Sequence, residues 1–336
     1  MDYSMDTHSL NCLFDLLKCH ATPGDEDEVA ALLLNAWKAA GWKTQSLGRY
    51  AVTAVREPDG DSADAQTVLI CAHMDSPGFI VQSINDDGSA NAVNIGYPHF
   101  EEPETAVVVK QADGQKISAT LYNQPEDTKI YPLSAESPLM RGDRLCYKAL
   151  PAVHDGVIES PFLDNRLGCY ALCEIAASIQ SSNLRIMLAA TSGEEFTGFG
   201  ASVLAAHCKP DLVICLDATY EEEEQNVIIG NGPVLTVTDK SVLLGQKTVE
   251  SIKRHCTAWN IPLQTEIYNF SGTDVRAFPS QGVMAPALPI LVPTTGNHTP
   301  LETASMQDIE ALNNLLFKLC SDKTAVASLL HDIASF

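Results

Sequence analysis

Basic residues are scarce in this chain: 21 Lys and Arg stand against 43 Asp and Glu, a formal net charge of −22. A field of that sign repels phosphate backbones and anionic lipid surfaces, so neither nucleic acid nor a membrane is an expected partner. Long apolar runs are missing. The best, around residues 213–216, has the length of a buried strand and not of a bilayer span. Residues 1–9 lack the apolar centre of a secretory leader, so a cytoplasmic location is expected. Paired cysteine spacings are missing too. The ten Cys are scattered with no C-x-x-C pair, which suits small buried thiols in a reducing compartment better than a disulfide framework. There is no internal repeat, and Gly and Pro are near ordinary usage, which excludes fibrous and disordered classes.

What is present is enough apolar material for a substantial core: 45% of 336 residues, room for one large domain or two smaller ones. Residues 10–19 read as a helix with Leu13, Leu16 and Leu17 on one face, broken by Thr22-Pro23-Gly24. The acidic run 25–28 suits the amino terminus of a second helix, which ends at Ala40 with Gly41 beyond it. The continuous apolar run 67–72 reads as a strand covered on both faces. From 79 to 155 short alternating runs separated by turn clusters predict a small all-β unit. An α/β rhythm then resumes, with helices at 164–179 and 199–207 and strands at 184–191 and 212–216. Ser305 and Asp308 form an approximate capping box for a helix running to Cys320. The fold class predicted is three-layer α/β: a mostly parallel sheet with helices on both faces, built from 1–78 and 156–336, with the β unit 79–155 inserted.

Five segments place metal-ligand residue types at strand ends or in loops: Ala72-His73-Met74-Asp75, Leu163-Asp164-Asn165-Arg166, Gly193-Glu194-Glu195, Leu216-Asp217-Ala218 and Gly296-Asn297-His298. In open α/β sheets functional groups gather past the carboxyl ends of the strands. Two His and several carboxylates are a donor set for Zn, Co or Mn. Two such ions need a shared carboxylate, and a further carboxylate must take a proton from the attacking water. The adjacent pair Glu194-Glu195 can divide these tasks, with Glu194 as general base. Asp75 is placed to hold the far nitrogen of His73. Each segment alone has a plain alternative. His73 could be a core or surface histidine, Asp164-Asn165 an N-cap, and Glu194-Glu195 a solvated turn. Asp217 could end its strand at a loop, and His298 could belong to an ordinary turn. That all five should be accidental in one chain is improbable.

Together the segments resemble the M42 family of metallo-aminopeptidases. The similarity is carried by HMDSPGF at 73–79, LDNR at 163–166 and the Glu pair followed by Gly200-Ala201. It also includes Gly230-Asn231-Gly232-Pro233, Gly272-Thr273-Asp274 and the stretch from Pro293 through His298 to Glu302. The resemblance implies two divalent ions, one held by His73, Asp164 and Asp217 and the other by Asp164, Glu195 and His298, with Asp164 bridging and Glu194 as base. It implies hydrolysis of the N-terminal bond of short peptides with a free amino terminus. It also implies a homo-oligomer, often a dodecamer, assembled through the inserted β domain. The ligand order is shared with M20 and M28 peptidases. The gap of 91 positions between His73 and Asp164, which holds the β unit, separates M42 from M20. The pattern departs at Ser76-Pro77, Gly198 and Leu301. The rival readings are an M20-type carboxypeptidase or deacylase, and a silent binding protein on a hydrolase scaffold. Arg166 is the only basic residue within the motifs, expected to brace Asp164, which leaves no cation to greet a substrate carboxylate.

Overall fold

A computed structural model describes residues 7–60, 65–124 and 129–334. Residues 1–6, on which part of the reading of the amino terminus rests, lie outside them. The helices are α1 Thr7–Lys18, α2 Asp27–Ala39, α3 Leu163–Ser178, α4 Phe199–His207, α5 Gln246–Ala258, α6 Ala277–Ser280, α7 Met306–Ser321 and α8 Lys323–Ala334. The first strands are β1 Lys43–Leu47, β2 Ala51–Arg56 and β3 Thr67–His73. Six more follow: β4 Gly78–Ile84, β5 Ala90–Ile95, β6 Glu104–Lys110, β7 Lys116–Tyr122, β8 Ile130–Ala135 and β9 Arg144–Tyr147. The remainder are β10 Ala152–His154, β11 Val157–Ser160, β12 Arg185–Thr191, β13 Leu212–Tyr220, β14 Val234–Thr238, β15 Gln264–Ile267, β16 Ala287–Thr295 and β17 Glu302–Ser305.

Eleven strands form one sheet in the order β1-β2-β12-β3-β13-β16-β17-β11-β10, with β14 on β16 and β15 on β14. The expected mostly parallel sheet is corrected to a mixed one. β12, β3, β13 and β16 run parallel at its centre, and β14 runs parallel to β15. The flanks are antiparallel, because β1-β2 and β10-β11 are joined by turns too short for a crossover. β3 shows why both faces are covered. Val68, Ile70 and Ala72 belong to the large core with α1, α2, α3 and α7, while Leu69 and Cys71 join a second core with α4 and α6. α3 is buried almost all round, as a helix between β3, β13 and three other helices must be. α2 ends as anticipated, with Gly41 in the left-handed region at φ 81°.

β4 to β9 close into a six-stranded barrel, β4-β5-β8-β7-β6-β9. Its interior holds Val81, Val107, Val109, Leu121, Leu133 and Leu145 on alternating positions, and Phe79 meets Phe100, Tyr131 and Tyr147 edge-on at 5.2 to 6.5 Å. The barrel is fastened to the start of α2 by Lys110, 3.1 Å from Asp25 and 2.5 Å from Asp27, and by Lys116, 2.5 Å from Glu28. β10, inside the span 79–155, pairs with β11 in the large sheet and not with the barrel.

The capping expectation at α7 is corrected in one half. Ser305 Oγ accepts from Gln307 N at 3.1 Å, as an N-cap should. Asp308 does not return to Ser305; its two oxygens accept from Gly230 N and Gly232 N at 2.6 Å each, tying down the glycine turn before β14. No helix among the described residues is long and apolar enough to cross a membrane.

Candidate active site

The four parallel central strands end on one edge of the sheet, and the segments singled out by sequence lie there. His73 is the last residue of β3, and Thr191, its register partner, is the last of β12. The loop Ser192 to Glu195 therefore leaves beside His73. β13 does not stop at Leu216 as expected. It runs on to Tyr220 because β16 keeps pairing with it, Asp217 opposite Leu291. β3 pairs with β13 only as far as Cys71 and Cys215, so His73 and Asp217 lie where the two strands part.

Asp164 reaches the same place by a local break. Asp164 and Asn165 have non-helical φ and ψ at the start of α3, and their peptide bond is cis. Asn165 provides the N-cap, its Oδ1 accepting from Gly168 N at 3.1 Å while its Nδ2 donates to Leu216 O at 2.8 Å. The Asp164 carboxylate is thereby left for other work. His298 stands in the left-handed region at φ 68°, in the turn opened by Gly296. A Cβ on Gly296 would come within 2.4 Å of Leu301 O, so the turn requires glycine.

Two donor groups result, His73-Asp164-Asp217 and Asp164-Glu195-His298, each with its ligand atoms within 4.8 Å of one another. His73 Nε2 is 3.2 Å from Asp164 Oδ1 and 3.3 Å from Asp217 Oδ1. His298 Nε2 is 3.1 Å from Glu195 Oε1 and 3.5 Å from Asp164 Oδ2. Asp164 Oδ1 and Glu195 Oε1 are buried and, despite these short separations, make no hydrogen bond of acceptable geometry. Buried carboxylate oxygens without hydrogen bonds, converging with two imidazole nitrogens, are what a site for divalent cations requires.

The titration of the cluster fits this. Burial alone would push the His73 imidazolium down, but Asp217, Asp164 and Asp75 hold it well above the usual range. His298 is likewise opposed by burial and raised by Asp164 and Glu195, to about 12. Burial and the charge of Asp164 push Asp217 up to about 7, with His73 opposing. Asp164 itself, against its burial, is held far below the carboxylate range by His298 and His73. The carboxylates that favour positive charge on the two imidazoles would favour cations in the same place.

A sequence model of the M42 glutamyl aminopeptidase family matches residues 53–132 and 134–315, well over half of the chain. The chain belongs to that family. A protein from Acetivibrio thermocellus, provisionally named an aminopeptidase, is 27% identical to this M42 chain over 330 residues, 90% of this chain and 97% of its own. The TET aminopeptidase of a marine-sediment Thaumarchaeota archaeon has a similar fold, with a TM-score of 0.87 at 22% identity over 96% of this chain and 99% of that one. So has the TET1 peptidase of Pyrococcus horikoshii, which can assemble into a tetrahedron or a large octahedral shell, with a TM-score of 0.82 at 20% identity over 94% and 99%.

Within the M42 site, two expected contacts take an indirect form. Asp75 meets His73 mainly through its backbone carbonyl, with its carboxylate farther off at ion-pair distance. His73 Nδ1 lies 3.0 Å from the Asp75 backbone carbonyl and 3.7 Å from Oδ1. The carboxylate accepts the backbone N–H groups of Gly193 at 2.8 Å, Glu194 at 3.1 Å and Glu195 at 3.1 Å. Three converging amides outcompete one imidazole for the short side chain, and they fix the Glu194-Glu195 loop. Arg166 braces Asp164 at one remove. It donates to Met74 O and Ser76 Oγ, and Ser76 Oγ donates to Asp164 O at 2.8 Å.

Three residues of the M42 site have no role in the sequence reading. Glu302 accepts from Asp164 N and from His298 N, both at 3.0 Å, tying two donors to one carboxylate; burial and Asp164 push it to about 8. Glu26 lies under the Glu194 loop, accepting from Ser192 Oγ at 2.7 Å, and burial with the charge of Asp75 raises it to about 7. Arg276 donates from Nη2 to Glu194 Oε1 at 2.8 Å. Glu302 lies in a quoted motif and was within reach of sequence reasoning. Arg276 and Glu26 meet the loop only through the fold. Burial, with Asp217, Asp274 and Glu195 nearby, holds Glu194 well above the usual carboxylate range although His73 opposes it.

Proposed function

We propose that this chain is a two-metal aminopeptidase that hydrolyses the N-terminal bond of short peptides, with Glu194 as general base. The observation that carries the reading is the pair of donor groups sharing Asp164, with Glu194 next in sequence to one of the ligands. His73, Asp164 and Asp217 would hold one ion and Asp164, Glu195 and His298 the other, with Zn, Co or Mn suited to these donors. Ions bound there would lower the pKa of a water and polarise the scissile carbonyl. The chain's own part is proton handling. Glu194 is clamped through its backbone N–H by Asp75 and through Oε1 by Arg276. Among the described residues, nothing bonds to its Oε2, which is left to take the proton and pass it to the leaving amine. Its raised proton affinity suits that exchange.

The cluster is rich in carboxylates, which favours an α-ammonium group in the substrate. A short peptide is therefore expected to be cleaved at least about tenfold to a hundredfold faster than its N-acetylated form, the worth of one charge-assisted contact. Comparing the two in the metal-loaded enzyme checks this. Equal rates, or faster cleavage of the acetylated peptide, would favour the M20-type carboxypeptidase or deacylase. Arg276, a cation of the kind such an enzyme needs, gives that rival a footing the sequence withheld.

The inserted span 79–155, which holds all of the barrel but its first residue, is proposed as the assembly domain of a homo-oligomer, with 1–78 and 156–336 as the catalytic body. The closed barrel and the fold shared with the P. horikoshii assembly support this. Light scattering at micromolar concentration should give a mass several times 36.2 kDa; a monomer would contradict it. The ten thiols, most of them buried, suit a cytoplasmic enzyme.

A further inference from the structure

The 3-10 turn Asp274–Arg276 carries opposite charges in opposite directions. Asp274 is buried beneath the Glu194 loop and accepts from Thr191 Oγ1. Arg276, two residues on, projects outward, with a side chain 48% exposed. Its Nη2 donates to Glu194 Oε1 at 2.8 Å and lies 3.4 Å from Glu194 O. Both contacts use the one nitrogen; among the described residues nothing bonds to Nη1 or Nε. A guanidinium has five N–H donors in a flat fork shaped for a carboxylate, and here a large part of the fork is free and faces solvent.

Its position relative to the reaction follows from Glu194. If Glu194 returns its proton to the leaving amine from Oε2, Arg276, bonded to the other oxygen of the same carboxylate, stands beside the leaving group. In a dipeptide the leaving amino acid bears a free carboxylate two bonds from that amine. Asp164, Glu194, Glu195 and Asp217 would otherwise repel this carboxylate. We propose that Arg276 binds the α-carboxylate of the leaving amino acid, so that dipeptides are the favoured substrates of this site. In a longer peptide the same place holds a neutral carbonyl and the charge–charge contact is lost. An acidic first side chain does not reach this position, since it branches from the far side of the scissile carbonyl. The proposal rests on the aminopeptidase reading of the site.

The test uses the metal-loaded full chain with a dipeptide, its C-terminal amide, the tripeptide, and an aminoacyl anilide that has no carboxylate. The wild-type kcat/KM for the dipeptide is expected to exceed that for the amide by about ten- to a hundredfold, the worth of a hydrogen-bonded charge. In Arg276→Met the ratio should fall to near one, mainly through the KM of the free acid. Arg276→Lys should keep part of it, since an ammonium retains the charge but not the fork. If Arg276 only positions Glu194, Arg276→Met lowers dipeptide, amide and anilide alike and leaves the ratio unchanged. That result overturns the proposal, as does a wild-type ratio near one. Wild-type enzyme that cleaves the anilide without discriminating overturns the carboxylate assignment alone. Enzyme that cleaves none of the four overturns the aminopeptidase reading and the proposal with it.

Discussion

Glu194→Gln is expected to remove nearly all turnover, about a hundredfold to ten-thousandfold, while the protein stays folded and binds metal as before. The amide keeps the shape of the carboxylate, and its oxygen can still accept from Arg276 Nη2 at the place of Oε1. The Asp75 clamp uses the backbone N–H of residue 194 and is indifferent to the side chain. What changes is the free end, where an oxygen able to take a proton becomes an NH2 that cannot. The measurement is kcat alongside metal content per chain. Loss of metal in Glu194→Gln with retention in Glu195→Gln would mean that the two neighbours have exchanged roles.

Removing divalent metal with a chelator should take activity to background, and Zn, Co or Mn should restore it. Asp164→Ala should not be restorable at ordinary metal concentrations, because both donor groups depend on that carboxylate. The pH dependence follows from the histidines. Neighbouring carboxylates hold His73 and His298 protonated above the usual range, His298 to about 12. A cation must displace those protons, so uptake should release protons and affinity should fall as pH falls. Titrating metal into the stripped protein in weakly buffered solution reads both effects. Full activity in a metal-free preparation would sink the mechanism.

The separate fates of Asp164 and Asn165 show where a linear reading stops. Adjacent polar residues before a helix are a fair N-cap in any sequence. That Asn165 caps, and so frees Asp164 for both histidines, depends on Leu216 O lying where Asn165 Nδ2 can reach it. Asp75 is a similar case. Its spacing from His73 points to a carboxylate–imidazole contact, and that contact is present at 3.7 Å, but three amides of the 193–195 loop are nearer and orient the carboxylate. The mixed sheet is illegible in the sequence for another reason. Buried apolar runs look alike in either direction, and strand direction is decided by connection length and partner choice.

Residue types and local periodicity were legible along the chain. They marked the strand end carrying His73, the strand leading into Asp217, the loops carrying Glu195, Glu194 and His298, the helix start carrying Asp164, and the change of texture after residue 78. These signals reach only a few residues, because side-chain period and turn chemistry are properties of the nearby backbone. The tertiary structure settled which groups meet across long separations. It ran β13 past Asp217 and placed Glu26 beneath Ser192. It also brought Arg276 to Glu194, 82 positions away in the chain. A half-exposed arginine has several possible partners, and which one it reaches is set by where its turn packs, something no local pattern encodes.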